Sequence, residues 1–108
     1  MKQSEFKEMK WVKWFEETYG FMLGLTQSGE NIMSIYVYDP NKETPIMFAT
    51  RNGKDEFRLD PGMYGKSNPM TIDLKLIAED VIGGECKFII CSDLKLYNPS
   101  NFSNSSET

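Results

Sequence analysis

Ile46-Met47-Phe48-Ala49-Thr50-Arg51-Asn52-Gly53-Lys54-Asp55-Glu56-Phe57-Arg58-Leu59 sets an Asn-Gly pair between two short apolar runs. Such a pair is the strongest short-range signal for a β-hairpin closed by a type I′ turn, because both central positions need positive φ. A two-residue turn there pairs Arg51 with Lys54 and fixes every pair beyond it. Phe48 falls opposite Phe57 and Ile46 opposite Leu59, on one face. Met47, Ala49, Glu56 and Arg58 go to the other, and a slip of one residue would exchange the faces.

Upstream, Ser4 is a suitable N-cap for a helix from about Glu5 to Tyr19, with Gly20 as its stop. At about 100° per residue, Met9, Val12, Phe15 and Tyr19 make one apolar arc with Trp11 at its edge. Lys7, Lys10, Lys13 and Glu17 lie opposite, and Trp14 stands off the arc beside Lys7 and Lys10. Phe21, Leu23 and Leu25 then share the face of a short strand, followed by a turn cluster from Gln27 to Asn31. Ile32 to Tyr38 is the most strand-like run, with Met33, Ile35 and Val37 on one face and Ile32, Ser34, Tyr36 and Tyr38 on the other. Asp39-Pro40-Asn41-Lys42 fits a type I turn leading into the hairpin.

Downstream, periodicity vanishes from Asp60 to Pro69, a longer connection than usual and of a kind that often carries function. Alternation resumes at Thr71, with Ile72, Leu74 and Leu76 facing inward on one strand. Cys86, Phe88, Ile90, Leu94 and Leu96 do so on a second, joined through a three-residue loop, Ile82-Gly83-Gly84. The alternative is a short helix from Ile77 to Ile82, ended by Gly83. Together these readings predict an α+β fold. An N-terminal amphipathic helix packs on a mostly antiparallel, meander-like sheet of about six strands, curling toward a small barrel or roll. Residues 1–97 form a single globular domain (helix about 5–19, strands about 21–97), and 98–108 a flexible polar tail.

Composition narrows the chemistry. The 108 residues carry 12 Lys and Arg against 16 Asp and Glu, a net charge of −4, which disfavours a protein wrapped in phosphate backbone. There is no histidine, so the commonest general base and the Ser-His and Cys-His nucleophile pairs are missing. No phosphate-binding glycine loop, dinucleotide fingerprint, zinc-protease helix or EF-hand spacing occurs. Cys86 and Cys91 point to opposite faces of one strand, so they neither bridge nor share a metal. Two free thiols fit a reducing compartment, and with no apolar run at the start the expected location is the cytoplasm. No cofactor, metal or enzymatic activity is expected.

Binding suits the residue types better. Trp14 among Lys7, Lys10 and Lys13 is either an aromatic-basic patch or part of a broad core face under a loop. Tyr36 and Tyr38 are exposed if the sheet closes and buried if a second layer covers them. Together with Met63 and Tyr64 in the long loop, they are the residue types enriched at interface centres. The expected function is therefore a non-enzymatic protein-binding module. It would be an acidic inhibitor or adaptor of the sort phages and mobile elements encode, contacting its partner through Tyr36, Tyr38, Met63, Tyr64 and Trp14. An alternative is a single-stranded nucleic-acid-binding small β-barrel, in which Trp14, Tyr36 and Tyr38 stack bases. The strand-rich shape resembles oligonucleotide-binding barrels, although their helix lies between the third and fourth strands and here it leads the chain. A third reading is self-association, as a homodimer, through a sheet edge or the aromatic face.

Overall fold

A helix unbroken from Glu5 to Tyr19 would point Phe6 away from Val12 and Phe15. The computed structural model, which describes residues 2–42, 44–83 and 86–91, resolves this by dividing the segment. Helix α1 spans Gln3–Glu8 and α2 spans Lys10–Tyr19, with extended backbone at Met9 (φ −66°, ψ 138°) between them. The break lets Phe6 join Val12 and Phe15 in full burial; burying a phenylalanine is worth about 1.5–3 kcal/mol. Ser4 lies inside α1 and Lys2 is its N-cap, whereas Gly20 ends α2 in the left-handed region (φ 76°) as expected.

Five strands follow among the described residues, in the sheet order β1-β2-β3-β4-β5. They are β1 Met22–Ser28, β2 Asn31–Tyr38, β3 Pro45–Arg51, β4 Glu56–Asp60 and β5 Lys87–Ile90. The first four form an antiparallel meander, and β5 runs parallel to β4. The strands β1 and β5 sit at opposite edges of the sheet, so it is open rather than closed into a barrel or roll. Leu23 and Leu25, Ile35 and Val37, Met47 and Ala49, and Phe57 and Leu59 all face one way, into the core. Helices α1, α2 and α3 (Pro69–Ile82) contribute to that same core.

The hairpin of β3 and β4 exists, but its register differs from the one expected. Arg51 pairs with Phe57, Ala49 with Leu59 and Phe48 with Asp60, and the Asn52 amide donates to the Glu56 carbonyl at 2.7 Å. Gly53 is at φ 80° while Asn52 is not at positive φ, so no type I′ turn forms. The reason lies one strand away. Because β2 sets Ile35 against Ala49 and Tyr36 against Phe48, pairing Phe48 with Phe57 would send Phe57 and Leu59 to the face away from the helices. The longer connection returns both to the core. Phe57 stacks on Phe88 of β5 (centroids 5.6 Å apart) and lies beneath the Arg51 guanidinium, 4.7 Å from the ring centre.

A second correction concerns residues 69–82. The segment expected to open with a strand from Thr71 to Ala78 is helix α3, and it begins well before the short helix considered from Ile77. Asn68 caps it by accepting the Met70 amide at 2.9 Å, with Pro69 in the first turn. Met70, Leu74, Ile77 and Ala78 form its buried stripe, which leaves Ile72 and Leu76 exposed. This helix carries the chain back so that β5 can lie parallel to β4. A smaller irregularity alters β2. Thr26 pairs with Ser34 and Gln27 with Ile32, which leaves Met33 as the extra residue of a bulge. Ile32 therefore turns inward and Met33, 37% exposed, turns out. The expected tail 98–108 and the inward positions Leu94 and Leu96 lie outside the described residues.

Two polar links tie the helices down. Lys7 pairs with Glu16; the Glu16 carboxylate accepts the Leu23 amide (2.9 Å), the Lys7 ammonium donates to the Leu23 carbonyl (2.9 Å), and Gln3 accepts the Leu25 amide (3.0 Å). The Tyr19 hydroxyl donates to Asp73, joining α2 to α3. Desolvation first, and Asp73 second, push the Tyr19 phenol up to about 12.

Met47→Ala is expected to destabilise the domain by about 2–5 kcal/mol and Phe48→Ala by much less, as read by denaturant unfolding. The reverse order would restore the register of the two-residue turn. Because the Tyr19 pKa is raised on folding, its contribution is complete below the unfolded value near 10 and is lost as pH climbs through about 12. Stability of the native chain should therefore fall more steeply over that range than stability of Tyr19→Phe, and parallel curves would refute the link.

Candidate interaction surface

Since the three helices share one face of the sheet, the other is left to the alternate side chains. Met22 and Gly24 come from β1, Ser34, Tyr36 and Tyr38 from β2, Phe48 and Thr50 from β3, Arg58 from β4 and Ile89 from β5. Met22, Tyr36, Tyr38, Phe48 and Ile89 are each half-buried. Tyr36 sits at the middle. It pairs with Gly24 on one side and Phe48 on the other, and its ring leans across β1. A Cβ at Gly24 would stand 2.5 Å from the Tyr36 Cζ, so only glycine accommodates the ring in this pose. Tyr38 follows, its ring centroid 5.7 Å from that of Tyr36.

Polar groups border this aromatic strip. The Thr26 and Ser34 hydroxyls hydrogen-bond at 2.7 Å. Glu56 accepts from Asn52 and from the Arg58 Nε (3.2 Å), and these two contacts, with a smaller effect of Lys87, hold its carboxyl below the ordinary range. Arg58 and Lys87, the cations on this face, thus gather around an acid.

The sequence-predicted site residues divide between two sides of the molecule. Tyr36 and Tyr38 lie together on the bare face. Met63 and Tyr64 belong to a 3-10 turn, Gly62–Tyr64, that follows β4 and touches β3, at the sheet end where Tyr38 meets Pro45. They are 88% and 39% exposed. Their loop is pinned underneath: Asp60, buried and with its carboxyl pushed up by desolvation, accepts the Gly62 amide (3.0 Å), and Thr71 donates to the Gly65 carbonyl (2.9 Å). Trp14, 41% exposed, stands on the helix layer with its ring edge-on to Trp11 (5.7 Å) and Tyr19 (6.0 Å). Two of the three lysines named beside it are engaged elsewhere, Lys7 with Glu16 and Lys13 with Glu8.

Phe48 and Ile89 were not singled out from sequence, because the shorter turn assigned Phe48 to the core. The signal that could have found the strip is Gly24, a glycine inside an apolar strand, which marks close approach of a neighbour. At the hairpin end, a cavity of about 420 Å³ lies beside Arg51, Lys54, Asp55 and Cys86. Arg51 there already donates to the Ile32 and Lys54 carbonyls (2.8 and 3.0 Å) and contacts the Cys86 thiol (3.7 Å). Among the described residues no group of three or more His, Cys, Asp or Glu side chains is placed to hold a metal ion, and no disulfide joins Cys86 and Cys91. No described helix is long and apolar enough to cross a membrane.

Fold and site together define a class, an open-faced α+β domain with helices on one side of its sheet and an aromatic strip on the other. Comparison with protein-family models, with curated proteins and with solved structures finds no match.

Gly24→Ala is expected to displace the Tyr36 ring and to cost about 1 kcal/mol, the low end for overpacking because the crowded atoms are the mobile ring tip. The near-UV circular dichroism should change, and the change should vanish in a Tyr36→Ala background. An unaltered spectrum would contradict the packing of Tyr36 over Gly24.

Proposed function

We propose that this domain is a non-enzymatic protein-binding module, acting as an inhibitor or adaptor that occludes a partner's surface with its bare sheet face. The observation that carries the reading is the pair Tyr36 and Tyr38, half-buried side by side on the sheet face opposite the helices, with no described helix or strand above them. Aromatic residues are enriched at interface centres because they bury large areas at low entropic cost, and their polar tips stay satisfied at the rim. Met63 and Tyr64 extend the contact at one end, and Trp14 belongs to a separate surface. A protein suits the strip better than a phosphate backbone, since Arg58 and Lys87 surround Glu56 and the chain carries a net charge of −4. Two cysteines with no disulfide between them support a reducing, cytoplasmic setting. A small acidic module of this kind is in keeping with those that phages and mobile elements encode.

Affinity capture from the native host, with mass spectrometry, tests the proposal. One partner should be retained by the native chain and by Trp14→Ala, and lost with Tyr36→Ala or Tyr38→Ala at an unchanged thermal midpoint. A partner held equally by the tyrosine variants would remove the bare face from the reading. Tyrosine quenching by single-stranded oligonucleotides, steeply weakened by salt, would move the assignment to nucleic acid.

A further inference from the structure

The two edges of the sheet are treated unequally. At β1 three of the outward backbone groups are already used: Glu16 accepts the Leu23 amide, Lys7 donates to the Leu23 carbonyl and Gln3 accepts the Leu25 amide. Those groups are not available to template another strand. At β5, the Lys87 amide donates to the Asp55 carbonyl and the Cys91 amide to the Leu59 carbonyl. Alternation along a parallel ladder then turns the amides and carbonyls of Phe88 and Ile90 away from β4. No described strand lies beyond them. Nor does β5 carry the usual protection of an edge, since Lys87-Phe88-Ile89-Ile90 has one charge, no proline and no bulge.

We propose that β5 is a dimerisation edge whose occupant is β5 of a second copy of this chain, paired antiparallel about a two-fold axis at Ile89. The strand is complementary to itself in this register. Phe88 of one copy opposes Ile90 of the other, and each such pair exchanges both backbone hydrogen bonds. The two Ile89 side chains meet at the axis in the closely spaced, non-hydrogen-bonded position, on the bare face. Lys87 opposes Cys91, so no like charges face each other. On the helix side Phe88 and Ile90 of both copies, already packed against the core, continue it across the junction. The two-fold pairing uses the β5 edge of both copies, and the side chains already bonded to Leu23 and Leu25 oppose head-to-tail growth at β1, so the assembly is a closed pair. This inference stands apart from the partner assigned to the tyrosine strip, which remains uncovered in the pair.

Light scattering of the full chain over a concentration series tests it. The mass should rise from one chain toward two. Ile89→Lys and Ile89→Glu should each move that transition to roughly tenfold higher concentration while keeping the native circular dichroism. Mixing the two variants in equal amounts should recover the pair, which a merely structural effect of either substitution would not do. The amides of Phe88 and Ile90 should gain hydrogen-exchange protection as concentration rises, and those of Leu23 and Leu25 should not. A chain of monomeric mass at every concentration, or variants that associate as the native chain does, would overturn the proposal. So would loss of the pair in Tyr36→Ala, which would place self-association on the bare face.

Discussion

The hydrogen bond from the Asn52 amide to the Glu56 carbonyl fixes how far the chain travels before it returns, and the rest of the molecule depends on that distance. Side chains on a strand alternate, so a turn decides which half of β4 is apolar. With Asn52 to Asp55 as the connection, Phe57 and Leu59 join Met47 and Ala49 on the side already occupied by Ile35 and Val37. A single apolar face then accepts α1, α2 and α3, and Phe57 offers its ring to Phe88 so that β5 can dock. The same turn frees Phe48 to stand beside Tyr36. Core and candidate surface are consequences of one choice of register.

Polarity is distributed so that only some surfaces remain open. The cluster of Lys7, Glu16 and Gln3 does two things at once, fastening the N-terminal helices and engaging the Leu23 and Leu25 backbone at the β1 edge. A partly buried ion pair contributes little net stability by itself, but this one also satisfies backbone groups that would otherwise recruit another strand. The face opposite the helices carries aromatic area with Arg58 and Lys87 beside Glu56, and β5 carries outward backbone groups with no described strand beyond them. One surface offers side chains and the other main chain.

Much of the architecture was legible in the sequence. The α+β class, the meander order of the first four strands, the left-handed stop at Gly20 and the shared face of Leu23 and Leu25 in β1 follow from periodicity and turn residues, whereas the bulge at Met33 reverses Ile32 and Met33 in β2. Three features were hidden, each for a physical reason. The turn type was misread because Asn-Gly specifies a hairpin strongly but its length weakly, and the length is settled by β2, a tertiary neighbour. Helix α3 was concealed because Ile72, Leu74 and Leu76 alternate like a strand, while Met70, Leu74, Ile77 and Ala78 repeat like a helix. Asn68-Pro69 was the capping signal that separates the two patterns. The break at Met9 shows only once Phe6 is required to be buried. The tyrosines were identifiable as a pair, yet whether a second layer covers them depended on which face the helices take, which follows from the register of β3 and β4.

That return has a kinetic side. Strands β1 to β4 pair with their immediate neighbours in the chain, whereas β5 meets β4 only after the whole of α3 has been laid down. Closing the larger loop costs more chain entropy, and contacts distant in sequence form late. A short strand held from one side and docked last is also the segment that opens at the least cost in a folded population. Detaching β5 would uncover the Phe57 ring and the outer edge of β4, so a sticky minor state is built into the crossover, and occupying that edge would suppress it by mass action.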